Sequence, residues 1–202
     1  MTLLSANAFE RLLLPSGRIV DVPKATPSFA VWRGEPPADR YGKRPIVDFE
    51  GRMAFAELAI LWTLQNSGWS GVWVDTNRRQ FRSDYWNALP VDLPPEHKAL
   101  LDRISAMRGG RYRGTWDVFC WRDHDYLFAQ SKWKNHDRLK PAQLEWLEAA
   151  LSLDLPLPAF LIVEWSLHLS KSMDRALRVC PARILWCMVP IPSVHLVLVL
   201  SR

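Results

Sequence analysis

The sequence predicts an α/β domain in which a mixed central sheet is flanked by helices. Three observations carry this expectation. Short runs rich in β-formers lie at residues 71–75 (GVWVD), 116–121 (WDVFCW), 126–132 (YLFAQSK) and 160–165 (FLIVEW), each of strand length. Segments with apolar residues at helical spacing lie at residues 50–67, 94–107 and 142–153. The last run, FLIVEW, is continuously apolar, as a strand covered on both faces must be.

Composition sets the outer bounds. With 49% hydrophobic and 23% charged residues in a chain of 202, a sizeable core can be buried, and disorder is not the default. The balance of 26 Lys+Arg against 21 Asp+Glu leaves a net charge of +5, which favours an anionic partner. Cys120, Cys180 and Cys187 form no even disulfide framework and fit a reducing, intracellular setting, cytoplasmic or nucleoid-associated. Cys120, inside an apolar run, is expected to be a small buried hydrophobe. Cys180 and Cys187 with His195 lack a fourth ligand for zinc. The N-terminal apolar stretch is interrupted by Glu10 and Arg11 and does not read as a signal peptide. Residues 184–200 are short and proline-interrupted for a membrane span, so no membrane partner is expected.

Taken in order, residues 1–45 read as an irregular N-terminal extension, punctuated by Pro15, Pro23, Pro27, Pro36 and Pro37. A short helix is expected at residues 8–14 and a short strand at residues 29–32. Residues 46–166 form the main domain, and residues 167–202 a tail without an assigned role. Within residues 48–67, Phe55, Leu58, Ile60, Leu61, Trp62 and Leu64 give a helix with a broad buried face, stopped by Gly68. Glu57 is embedded there. It lies at the edge of the buried face or faces a site, because a buried acid is costly unless paired or metal-bound; Glu50 is the alternative site acid.

A basic cluster, Arg78, Arg79 and Arg82, follows the first core strand, interleaved with Phe81, Tyr85 and Trp86. It suits a nucleic-acid backbone with exposed bases, or equally a solvated loop. Asp75 and Asp84 read as turn or cap residues. The helix at 94–107 carries Leu100, Leu101, Ile104 and Met107 and ends at Gly109-Gly110. Arg108, Arg111 and Arg113 then converge ahead of the next strand, placed for phosphates or for a solvated loop.

The runs at 116–121 and 126–129 flank the polar turn Arg122-Asp123-His124-Asp125, a hairpin signal. Gln130 and Lys132, two apart on one strand, point to the same side, and the returning hairpin brings Asp117 there. An acid, an oxygen ligand and a lysine at adjacent strand ends can hold a divalent metal against a phosphate. Lys134, His136, Arg138 and Lys140 form a basic lip. Pro141 then opens a helix whose buried stripe is Leu144, Leu147 and Leu151, with Trp146 in the core. Gln143, in its first turn, is placed to hydrogen-bond inward or to cap the helix.

At these residues the chain resembles the PD-(D/E)xK nuclease superfamily, and most closely its VRR-NUC (virus-type replication-repair nuclease) branch, over about residues 48–165. The branch's Gly-x-x-Asp reads here as Gly114-Thr115-Trp116-Asp117, and its acid-x-Lys triplet as Gln130-Ser131-Lys132. Its following turn reads as Asp137-Arg138-Leu139, and its helix-opening Gln as Gln143 with Trp146. Trp116 stands where the family usually has Pro, and Gln130 where it usually has Glu or Asp. The resemblance implies a restriction-endonuclease-like core, Mg²⁺ or Mn²⁺, and hydrolysis of DNA phosphodiester bonds in replication, repair or mobile-element processing. It implies Glu57, Asp117, Gln130 and the Ser131 carbonyl as metal ligands, with Lys132 and Gln143 completing the catalytic set. Arg78, Arg79, Arg82, Arg111, Arg113, Lys134 and Arg138 would contact DNA. Gln130 removes one negative charge from such a site. Two alternatives therefore stand beside cleavage: a nuclease-like module that binds nucleic acid without cutting, and a structural or protein-interaction domain in which Asp117 and Lys132 form an ion pair.

Overall fold

The computed structural model describes residues 4–37, 44–85 and 88–169. Trp86, Cys180, Cys187, His195 and residues 170–202 lie outside them.

The chain opens with β1 (Ala8–Leu13) and β2 (Ile19–Ala25), an antiparallel hairpin, where a short helix is expected from the sequence. Leu12, Leu14, Val20 and Val22 point inward, whereas Phe9, Leu13 and Ile19 are exposed. That is a period of two, and pairing with the second strand overrides the helical look of three consecutive leucines. β3 (Ser28–Val31) continues past Thr26-Pro27. β2 and β3 pair in parallel with successive halves of one later strand, so residues 8–31 belong to the sheet and are not an irregular extension.

β4 (Val47–Phe49) and β5 (Arg52–Ala54) form a second hairpin around Glu50 and Gly51, both with positive φ (53° and 83°). This two-residue turn occupies the first part of the expected helix, so α1 runs only Ala56–Gln65. Then follow β6 (Ser70–Asp75), β7 (Gln80–Arg82), α2 (Pro95–Ala106), β8 (Val118–Arg122), β9 (Asp125–Trp133), α3 (Pro141–Leu151) and β10 (Phe160–His168). The sheet order is β5-β4-β3-β10-β9-β8-β6-β7, with the β1–β2 hairpin attached through β2 to β10. β8 is antiparallel to both its neighbours, β6 on one side and β9 on the other. β10 is parallel to β9, which requires the crossover that α3 supplies.

Both faces of this mixed sheet are covered. Val72, Val74, Phe119, Phe128, Phe160 and Ile162 share one apolar cluster with α2, α3 and the β1–β2 hairpin. The alternate residues Trp73, Val118, Cys120, Ala129, Leu161 and Val163 pack with α1 on the other face. Burial on both sides explains why β10 shows no polar alternation in its first half. As expected, Trp146 is fully buried, and so is Cys120, whose thiol burial pushes up to about 12.

Phe119, Phe128 and Phe160 lie in one register row across β8, β9 and β10. Their rings stack at centroid distances of 4.8 and 5.3 Å. Each contributes about 2–3 kcal/mol by leaving water. A one-residue slip would turn these rings to the opposite face, so the row fixes the β8–β9 register. That register sets the site. No helix among the described residues is long and apolar enough to cross a membrane.

Candidate functional site

Asp117 stands one residue before β8, its carbonyl accepting the Val74 N–H at 2.8 Å. Val118 pairs with Ala129, and the same register carried one step further puts Asp117 across from Gln130. The Asp117 Oδ2 accepts the Ser131 N–H at 3.0 Å and a hydrogen bond from the Gln130 amide nitrogen. Gln130 Nε2 also reaches the Ser131 carbonyl at 3.3 Å, while Gln130 Oε1 is buried and has no partner. Lys132, two residues on and on the same face, donates from Nζ to Gln143 Oε1 at 3.1 Å. That oxygen also accepts the Lys140 N–H at 3.0 Å, so Gln143 both caps α3 and reaches inward. The sequence left those two roles as alternatives; the side chain fills both.

Glu57 enters from the first turn of α1 and is ion-paired with Arg44 at 2.8 Å. Burial, then the Glu57 charge, push the Asp117 carboxyl up to about 7, against the pull of Lys132, Arg44 and the Ser131 N–H. Burial also lowers the Lys132 ammonium from its ordinary value, with Asp117 the foremost charge opposing it. Two carboxylates repelling each other beside an unpartnered amide oxygen and a backbone carbonyl make an all-oxygen donor set, which suits a hard divalent cation. Among the described residues there is no cluster of three or more His, Cys, Asp or Glu.

Gly114 holds Asp117 in place. Its φ is +91°, and a Cβ there would collide with the Ala142 carbonyl at the start of α3. Trp116, in the next stretch, is fully buried, donates from Nε1 to the Gln143 carbonyl at 3.3 Å, and meets Phe160 edge-on at 5.3 Å. The loop carrying Asp117 is thereby pinned to the helix carrying Gln143. Gly114→Ala combines left-handed strain with a backbone clash, and is expected to lower unfolding stability by about 2 kcal/mol or more, read as a fall in the urea midpoint.

The site opens into a cleft of about 1530 Å³ whose lining includes Arg44, Arg79, Arg111, Arg113, Asp117 and Lys140. Arg79, Arg111 and Arg113 are exposed and have no salt bridge among the described residues. Arg108 is different. It is buried, donating from Nη1 to the Arg111 and Arg113 carbonyls at 3.1 and 2.6 Å, and from Nη2 to Glu145 at 2.9 Å. It shapes the loop that presents its two neighbours, and it lines the cleft beside them with its guanidinium already engaged.

The other basic residues expected at a nucleic acid are either engaged within the fold or exposed away from the cleft. Arg82 is buried and bound to Asp75 at 3.1 Å, so its guanidinium is already engaged inside the fold, and Asp75 is a buried ion-pair partner as well as a turn residue. Arg78 leans on the same carboxylate at 3.8 Å, and its N–H bonds to it at 3.2 Å. Lys134 and Arg138 are exposed but do not line the cleft. Arg44 went unnoticed in the sequence. It sits in a Pro- and Gly-rich stretch, and its partner Glu57 is thirteen residues away with no helical spacing between them.

Comparison with protein-family models, with curated proteins and with solved structures finds no match for this chain.

Proposed function

We propose that this chain is a metal-dependent nuclease that hydrolyses DNA phosphodiester bonds on a restriction-endonuclease-like core. The single observation that carries the reading is the convergence of Asp117, Gln130 and Lys132 on one face of adjacent strand ends, with Glu57 close enough for its charge to act on Asp117, and with Asp117 and Gln143 lining a basic cleft. The succession α1, β6, β8, β9, α3, β10 supports it. A helix, three antiparallel strands, a crossover helix and a strand parallel to the third make a mixed sheet flanked by helices, which is the coarse architecture that the resemblance to PD-(D/E)xK nucleases implies.

Asp117, Glu57, Gln130 Oε1 and the Ser131 carbonyl would hold Mg²⁺ or Mn²⁺. Rotation of the Gln130 amide by half a turn exchanges its nitrogen for the unpartnered oxygen beside Asp117. When bound, such a cation acidifies water and offsets phosphate charge. Lys132, fixed by Gln143, orients the attacking water and stabilises the negative charge that develops on the phosphate. Arg79, Arg111, Arg113 and Lys140 bind the flanking phosphates and set the register of the strand.

A second reading rests on a specific contact. Gln130 already donates to Asp117 and Arg44 already pairs with Glu57, so both acids have protein partners, as in a module that binds DNA without cutting it. Labelled single-stranded, duplex, flapped and branched DNA, incubated with Mg²⁺ or Mn²⁺, separates the two. Cleavage is expected with metal, absent in EDTA, and lowered about 10²–10³-fold in Lys132→Ala. Binding whose log–log salt slope is roughly −3 to −4, without cutting under either metal, would favour the second reading. Neither binding nor cutting would remove both.

A further inference from the structure

The cleavage reading leaves one cation at the site without a role. Arg44 lines the same cleft as Asp117, and its Nη1 lies 2.8 Å from Glu57 Oε1. The two partners differ in access: the Glu57 side chain is 12% exposed, the Arg44 side chain 37%. The other cation, Lys132, is buried and held at 3.1 Å by Gln143. Among the described residues the metal-free site thus sets two acids, Glu57 and Asp117, against two bases. Adding a divalent cation leaves an excess of positive charge, and of these two bases Arg44 is the one that lines the cleft. With a guanidinium on its Oε1, Glu57 receives a metal only against the repulsion of the Arg44 charge.

We propose that Arg44 is a resident counter-ion that the divalent metal displaces from Glu57, and that the released guanidinium then clamps the phosphate being cut. This rests on the nuclease reading and adds to it a coupling between metal and DNA. Metal binding frees the group that DNA needs, and DNA phosphate receives the charge that metal binding displaces, so each tightens the other. Arg suits the second task because its planar fork grips two phosphate oxygens at once.

The test uses the full chain and Mn²⁺ alone as probe, followed by calorimetry without DNA, and then duplex DNA with non-cleaving Ca²⁺, followed by fluorescence anisotropy. Arg44→Gln removes a competitor for Glu57 and is expected to bind Mn²⁺ about fivefold more tightly than the wild type. Arg44→Lys, which keeps the charge, is expected to bind Mn²⁺ within about twofold of the wild type. Both variants should lose most of the gain in DNA affinity that Ca²⁺ confers on the wild type, about tenfold, because neither carries the guanidinium fork. Unchanged or weaker Mn²⁺ binding by a folded Arg44→Gln overturns the proposal while leaving the nuclease reading intact. A wild type that binds no divalent metal and cuts no DNA overturns both. Should Arg44→Gln fail to fold, Arg44→Lys decides: a full Ca²⁺-dependent gain in DNA affinity overturns the displacement, and its loss supports it.

Discussion

Asp117→Asn is expected to lower metal-dependent cleavage by at least about 10³-fold and yet to raise the melting temperature of the metal-free protein at pH 8. The loss follows from removing the one carboxylate that both strand ends are arranged around. The gain follows from electrostatics. Burial and the neighbouring Glu57 push the Asp117 carboxyl up to about 7 from an ordinary 3.8. The folded protein therefore holds a proton that the unfolded chain releases at lower pH. Stability from this group is fully present below about pH 4, is lost as pH rises through about 7, and stays lost above that. Asn keeps the shape and an oxygen for the Ser131 N–H but never ionises. The difference between variant and wild type should vanish near pH 4 and reach about 2 kcal/mol, several degrees in Tm, at pH 8. Scanning calorimetry from pH 4 to 9 measures it, and a variant less stable than the wild type at pH 8 would contradict the reading of a site held at an energetic cost. Mg²⁺ should narrow the gap, because it stabilises only the chain that binds it.

What could be read from the sequence divides along physical lines. The strands at 70–75, 118–122, 125–133 and 160–168 and the helices at 95–106 and 141–151 fall where periodicity and run length place them, within a few residues. Their patterns are set by the sheet they cover, and burial writes itself into composition. The N-terminal hairpin was misread because three consecutive leucines look helical in isolation. The better signal was Val20 and Val22 either side of Asp21, which alternates. The Glu50-Gly51 turn was hidden because the usual Asn or Asp before Gly is replaced by Glu.

At the site, Asp117, Gln130, Lys132 and Gln143 were legible because strand alternation and a helix start bring them together by local rules. Glu57 was legible as an anomaly, an acid in an apolar helix, and as the helix acid that the resemblance implies. Arg82 and Arg44 were not legible. Both are arginines whose ion-pair partners are fixed by tertiary packing, one against Asp75 and the other against Glu57. A charge run read from sequence gives the number of cations but not which of them the fold has already neutralised.

Gln130→Glu reverses the signs of Asp117→Asn. The wild-type amide donates to Asp117 Oδ2, and its own oxygen is buried without a partner. A carboxylate there loses that donor and faces a second acid across the strand pair, with Glu57 close enough for its charge to act on Asp117. In the metal-free protein the pair must share a proton near neutral pH, and the variant is expected to melt lower by the equivalent of on the order of 2 kcal/mol. Adding Mg²⁺ should do the opposite. An extra full charge at a ligand position raises divalent-ion affinity on the order of 100-fold, so that millimolar Mg²⁺ restores the melting temperature and shifts the metal dependence of cleavage to lower concentration. Calorimetric titration with Mg²⁺ reads the affinity directly. If the affinity does not change while the metal-free protein is destabilised, Gln130 is a structural amide that quiets Asp117, and the oxygen set is too poor for catalysis. The balance would then pass to a chain that binds DNA without cutting it. If affinity and low-metal cleavage rise together, the amide is the reason the wild-type site holds its metal weakly, and Asp117, Gln130 and Glu57 act as one site.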